Sequence, residues 1–292
     1  MTAPILAIDH LSAVSDREHG APILRDVSLT LGIGEVLGLV GESGAGKSTI
    51  AKAVLGILPR TVRVTSGSAI FDGRDLLQLP PRDLSAVMGS EITLIPQDPM
   101  TALNPGRRID SQLADGLRLR RGLSSGEARK RSMVLLEEVH IRDPERVMRA
   151  YPHELSGGMR QRVLIAAAFA MEPKLVVADE PTTALDVTVQ KQILRLIRAM
   201  QEKHGTSVIF VTHDLGVVAQ ICDRVVLLYG GMVVETGVTA ELFANPRHAY
   251  TRALLAAGPR YDRPTRELEP VPESVFTGLR GELAAFDARH HG

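Results

Sequence analysis

The segment Gly41-Glu42-Ser43-Gly44-Ala45-Gly46-Lys47-Ser48-Thr49 carries the most specific chemistry in the chain. It fits the spacing G-x-x-x-x-G-K-[ST], a phosphate-binding loop. Glycines let the backbone curl so that successive N–H groups point at phosphate oxygens, and a helix starting there adds its positive end. In such a loop Lys47 would reach the β- and γ-phosphates of a nucleoside triphosphate, and the Ser48 hydroxyl would ligate Mg²⁺. At average residue frequencies, the four fixed positions would coincide by chance in about one such chain in a hundred. The second feature is Asp179-Glu180, at the end of the apolar run Leu175-Val176-Val177-Ala178. Asp179 is placed to hold a Mg²⁺ shell, and Glu180 to polarise an attacking water. On its own such a pair is usually a solvated turn. Downstream of a phosphate loop it reads as hydrolytic.

These residues need elements to position them. Val36–Val40 reads as an apolar strand feeding the loop, with a helix expected from Lys47 to about Leu58, stopped by Pro59. Further strands are expected at Ile5–Asp9, Ser28–Leu31, Ser68–Phe71 and Ile92–Ile95. From about Pro99 to Pro152 the period becomes helical. Ser124 and Glu127 suit a capping box there, and Asp143-Pro144 a second helix start. Leu175–Ala178 and Ser207–Thr212 have the apolar character of strands covered on both faces. Val189, Ile193, Leu196 and Met200 make one stripe of a helix ended by Gly205. Arg224–Tyr229, Gly230-Gly231 and Met232–Glu235 form a hairpin pattern. Alternating strands and helices predict an α/β domain with a mainly parallel sheet. After Pro259 the chain is rich in proline and charge, and an extension is expected rather than core.

Composition narrows the partners. Lys+Arg and Asp+Glu both number 34 in 292 residues, so the basic excess of a nucleic-acid binder is missing, and with no Trp and few other aromatics base-stacking platforms are scarce. No nucleic-acid partner is expected. The single cysteine, Cys222, can form neither an intramolecular disulfide nor a cysteine-rich metal site, which fits a reducing cytoplasm, and it reads as a buried structural thiol. Met1–Ala7 lacks the pattern of a signal peptide, and the longest apolar run, Val163–Met171, is too short to span a bilayer. The chain is expected to be soluble, with other subunits holding it if it works at a membrane.

A phosphate loop and an acidic strand end would equally suit a kinase, a GTPase or a helicase. Leu155-Ser156-Gly157-Gly158-Met159-Arg160-Gln161 separates them. Ser156 can cap a helix running to about Met171, whose first N–H groups two glycines leave uncovered, an anion-binding end with no nucleotide of its own. The heptapeptide resembles the LSGGQ signature of ABC ATPases, with Met159 where Gln is commoner. The family order continues with Gln97 after the strand Ile92–Ile95, Thr183-Ala184-Leu185-Asp186 resembling the D-loop, and His213 resembling the switch histidine. The resemblance implies a P-loop NTPase core with an N-terminal antiparallel β subdomain and an inserted helical subdomain at about 99–160. The nucleotide-binding domain would then be 1–260, and 261–292 a C-terminal extension.

The resemblance also implies roles. Residues Gly41 to Thr49 would bind the chain's own Mg-ATP, with Ser48, Gln97 and Asp179 at the metal and Glu180, His213 and Gln97 in catalysis. Ser156, Gly157 and Gly158 would serve the ATP of a second ATPase chain, identical or paralogous, in a head-to-tail dimer. The segment Pro96-Gln97-Asp98-Pro99-Met100-Thr101-Ala102-Leu103-Asn104-Pro105 and the stretch from Asn245 to Leu255 resemble the oligopeptide/dipeptide importer subfamily, although Ala249 stands where Pro is common. Two permease subunits, an extracytoplasmic binding protein and a place on the cytoplasmic face of the inner membrane follow from that resemblance. A soluble ABC ATPase of DNA repair or translation is the alternative. One departure concerns the base: Val14 and Ser15 stand where the family carries an aromatic that stacks on adenine, a contact worth about 1 kcal/mol.

Overall fold

The computed structural model describes residues 3–18, 20–183, 185–257 and 271–290. Its elements begin with β1 (Leu6–Ser15), β2 (Ala21–Leu31), β3 (Val36–Val40), α1 (Lys47–Val54), β4 (Val62–Phe71), β5 (Arg74–Asp75), α2 (Pro81–Val87) and β6 (Ile92–Ile95). A helical stretch follows: α3 (Pro99–Ala102), α4 (Ile109–Arg121), α5 (Ser125–Glu138), α6 (Pro144–Arg149) and α7 (Gly157–Phe169). The chain then alternates through β7 (Leu175–Asp179), α8 (Val187–His204), β8 (Ser207–Thr212) and α9 (Leu215–Ile221). It continues through the hairpin β9 (Arg224–Tyr229) and β10 (Met232–Val238), then α10 (Thr239–Ala244), α11 (Ala249–Ala257) and α12 (Glu273–His290).

The apolar strands behave as their composition requires. Every residue of β3 and β8 is buried, and only the final Asp179 of β7 is not. A strand covered on both faces belongs in a parallel sheet with helices on either side. The main sheet runs β10-β9-β3-β8-β7-β6 and is parallel except for the β9–β10 hairpin. A second, antiparallel sheet, β2-β1-β4-β5, packs the phosphate-loop side of the core. Register positions the chemistry. Ile95 pairs with Ala178, Asp179 with Val211, and Val40 with Thr212. The residues just beyond, Gln97, Glu180, His213 and Gly41, therefore leave the sheet at one edge, the carboxyl ends of parallel strands where α/β proteins bind ligands.

Local signals read from sequence set several helix ends. Ser124 and Glu127 form the reciprocal capping box of α5, Asp143 caps α6, and Gly205 closes α8 in the left-handed region at φ 63°. Several expectations need correction, among them the extents of β1, β2 and β4, which run well beyond the expected Ile5–Asp9, Ser28–Leu31 and Ser68–Phe71. Helix α1 ends at Val54 rather than Leu58, because Gly56 turns left-handed at φ 65° and the Ile57 N–H bonds back to the Lys52 carbonyl. Pro59 lies in the loop beyond. The segment after Pro259 also does more than extend. Residues 258–270 lie outside the described residues, but α12 packs on the core, with Leu279 1% exposed and the Phe276 ring 6.2 Å from that of Tyr229. Cys222 is buried as expected, and burial pushes its thiol up, away from reactivity.

Candidate nucleotide site

Strand β3 delivers the chain into residues 41–46, which turn back over it to start α1. Gly46 sits at the cap position with φ 95°, a conformation that costs a side-chain-bearing residue about 1–2 kcal/mol. Lys47 follows, 5% exposed, its Nζ donating to the carbonyls of Gly41 at 2.6 Å and Glu42 at 2.7 Å. Burial pushes its pKa down, while Glu180, Asp179 and Glu42 act the other way. The result is a desolvated ammonium with two of its three donors fixed on the loop it must serve.

Ser48 Oγ lies 3.5 Å from Asp179 Oδ1. Burial raises the Asp179 carboxyl, Glu180 raises it further, and Lys52, the Ser48 hydroxyl and Lys47 oppose this. A hydroxyl and a carboxylate facing each other, with a second carboxylate adjacent, form a hard-oxygen donor set that fits Mg²⁺ completed by phosphate oxygens and water. A cation would also relieve the like-charge pressure on Asp179.

Glu180 is the most constrained residue of the cluster. Its backbone takes φ 46°, and its N–H bonds to Val211 O at 3.0 Å. The side chain is 18% exposed and contacted from three sides. Thr183 Oγ1 donates to Oε2 at 2.9 Å, Gln97 Nε2 donates to Oε2 at 3.3 Å, and His213 Nδ1 lies 3.3 Å from Oε1. Residues 83 and 33 positions away thus converge on one carboxylate, an arrangement able to hold it against a water in a fixed direction.

Ser156 stands apart. Its hydroxyl accepts from Met159 N at 3.3 Å and caps α7, as the sequence predicts, but Ser156 and Gly157 are exposed. Among the described residues, no hydrogen bond or ion pair links 156–158 to the phosphate loop. That helix end is open to a ligand from outside the chain. Of the D-loop stretch, Ala184 lies outside the described residues, and Asp186 serves as the cap of α8 through Thr188 N and Val189 N. At the base end, Val14 has Pro22 and Arg63 as cross-strand neighbours and offers no ring face.

The structure adds Thr183, whose contact with Glu180 sequence reading did not single out. Its only signal there is the three-residue spacing, which a turn closes through Thr183 N to Glu180 O at 3.3 Å. Hydrogen bonds to charged groups contribute about 1.5–3 kcal/mol. Thr183→Val should therefore lower kcat about ten-fold with KM for ATP nearly constant, and Thr183→Ser should restore it. Steady-state ATPase kinetics on the three proteins check this, and equal kcat values would show the contact to be idle.

The family model for ABC transporters matches residues 24–183, and the model for the C-terminal region of oligopeptide/dipeptide transporters matches residues 234–281. The chain belongs to the ABC transporter ATPases. It is an ATPase of that family, and its relatives carry transport names. It is 46% identical over 277 residues to the probable D,D-dipeptide transport ATP-binding protein of Escherichia coli, covering 94% of this chain and 84% of that one. It is 47% identical to the oligopeptide transport ATP-binding protein of Salmonella typhimurium, covering 88% of this chain and 76% of that one. It is 50% identical to the peptidoglycan transport ATP-binding protein of Agrobacterium fabrum, but spans only 48% of that protein's length. Among solved structures, a dimeric ATP-binding cassette in a post-hydrolysis state with ADP and Pi superposes with TM-score 0.71 at 28% identity, over 80% of this chain and 98% of that one. An ABC transporter component from Clostridium perfringens gives 0.72 at 29% identity, over 90% and 97%.

Proposed function

We propose that this ABC ATPase powers uptake of peptides or a related small solute through two permease subunits at the cytoplasmic face of the inner membrane. The observation that carries this reading is the match of residues 234–281 to the C-terminal region of oligopeptide/dipeptide transporters. In this reading Gly41 to Thr49 hold Mg-ATP, Ser48, Asp179 and Gln97 attend the metal, Glu180 polarises the attacking water, and His213 holds Glu180 and the γ-phosphate end. Mg²⁺, when bound, supplies charge neutralisation at the phosphates. Ser156, Gly157 and Gly158 complete the site of a second ATPase chain, so ATP joins a head-to-tail pair that hydrolysis releases. Domain limits of 1–260, with 99–160 as the helical insertion, and 261–292 accompany it. The transport names of the relatives speak against a repair or translation ATPase.

Among the described residues no helix is long and apolar enough to cross a membrane. In the proposal, therefore, force passes through docked permeases. A groove of about 380 Å³ between α4, α7, β6 and the end of α1 suits an amphipathic permease helix, with Leu55, Met88, Leu113 and Leu164 in its walls and Ile57 54% exposed. One wall, β6, leads within two residues to Gln97, which contacts Glu180, so an occupant is mechanically near the proposed base. Ile57→Asp should weaken permease docking about thirty-fold, a buried-anchor effect, and abolish coupled transport. Co-purification with the permeases reads this directly, and undiminished docking would move the interface elsewhere. The function as a whole is tested by reconstituting the ATPase with its permeases and binding protein and offering peptides. Peptide-stimulated hydrolysis with uptake is expected, and stimulation by no peptide but by another solute would replace the substrate class.

A further inference from the structure

Three glycines show how little room lies between the phosphate loop, β2 and the turn between β9 and β10. A Cβ on Gly41 would stand 2.2 Å from Leu228 O, one on Gly46 2.7 Å from Leu24 Cδ2, and one on Gly231 2.1 Å from Ile23 O. Two of these are backbone meeting backbone, which no rotamer change can relax. Gly231 N also donates to Ala45 O of the loop at 3.1 Å, and Arg25 N donates to Gly231 O at 2.8 Å. The turn between β9 and β10 is thus a prop against the loop, and a shift of the turn must move the loop.

The C-terminal region holds that turn from the other side. Arg25 donates to Gly230 O at 2.5 Å and makes a two-pronged pair with Asp287 of α12, at 2.7 and 2.9 Å. Arg25 is 12% exposed, so the pair is partly desolvated and geometrically defined. Leu283 covers Gly230 so closely that a Cβ there would come within 2.6 Å of Leu283 Cδ1. Phe276 packs on Tyr229, whose ring meets Tyr250 of α11 edge-on at 5.3 Å. Tyr250 is fully buried, its hydroxyl lying against the Glu42 backbone of the phosphate loop without a well-formed hydrogen bond. Phe276, Leu279, Leu283 and Asp287 recur at three- and four-residue spacing, one face of α12. That face reaches the phosphate loop by two routes, through Arg25 and the turn, and through the tyrosines.

We infer that α12 is a clamp that positions the phosphate loop, with Arg25 and Asp287 as positioning residues for nucleotide binding. The inference rests on the assignment of residues 41–49 to the nucleotide. Linkage makes it reciprocal: if clamped α12 favours nucleotide, bound nucleotide must hold α12 down by the same factor. A helix that only covered apolar surface would change stability without touching affinity.

Two measurements on the full chain decide it. Asp287→Asn should weaken binding of the non-hydrolysable analogue AMP-PNP about five-fold in calorimetry, with Asp287→Glu close to the parent. In the unaltered protein, AMP-PNP should slow hydrogen exchange of the α12 amides by a similar factor. Parental affinity in Asp287→Asn, or α12 exchange indifferent to nucleotide, would overturn the clamp. Lys47→Ala serves as the control. If that variant binds AMP-PNP normally, the nucleotide assignment itself fails; if it does not and Asp287→Asn does, only the clamp fails.

Discussion

Glu180→Gln is expected to keep ATP binding and lose turnover by about a thousand-fold, the middle of the range for removing a positioned base. The amide is nearly isosteric, so the backbone at φ 46° and the contact with Thr183 can persist, while the ability to take up a proton is gone. The substitution should not weaken binding of Mg-ATP. Glu180 raises the pKa of Asp179, so removing its charge favours the ionised Asp179 that a metal needs. The trapped state should accumulate as an ATP-dependent dimer, visible by light scattering on a sizing column. Single-turnover phosphate release at the parental rate would remove Glu180 as the base.

Lys47→Ala should weaken ATP binding about a hundred-fold or more, the scale of deleting one partner of a desolvated charge contact. In the free protein the effect on stability is smaller, because two terms oppose. Truncation relieves the burial of an ammonium at 5% exposure, but leaves the Gly41 and Glu42 carbonyls without their donor. The sharper readout is the melting shift caused by ATP, which the parent shows and the variant loses. The lowered pKa of Lys47 adds a direction: the neutral amine forms at a lower pH than for an ordinary lysine. ATP affinity should therefore fall as pH rises, starting below the usual lysine range. A Lys47→Ala protein still stabilised by ATP would refute the loop's role.

Much of this site was legible because its signals are local. The phosphate loop is contiguous, and Asp179 and Glu180 end a strand whose apolar run marks it as central. Ser156, Ser124, Asp143 and Gly205 act within one helical turn of themselves. The placements of Gln97 and His213 came from family order, and the structure explains them through strand register, which composition cannot supply. Strands β1 and β2 run longer than their sequence pattern shows, because bulges between Ile8 and Leu11 and between Leu11 and Ala13 break the alternation that marks a strand. Pro59 implies a longer α1, but the nearer Gly56 turns left-handed and ends the helix first. Arg25 and Asp287 stayed invisible because their pairing spans 262 positions, and a charged residue on a helix carries no mark of the partner it will meet.

Glu180 sits in a backbone conformation that favours glycine and costs other residues about 1–2 kcal/mol. Glycine at 180 would relax that backbone and lift the charge pressure on Asp179, but it would also erase the carboxylate and its contacts with Thr183, Gln97 and His213. A redesign scored on backbone geometry alone would therefore choose glycine here and remove the proposed base. Position 180 is where local backbone strain is kept for the sake of a side chain, and any engineering of this chain has to hold it fixed.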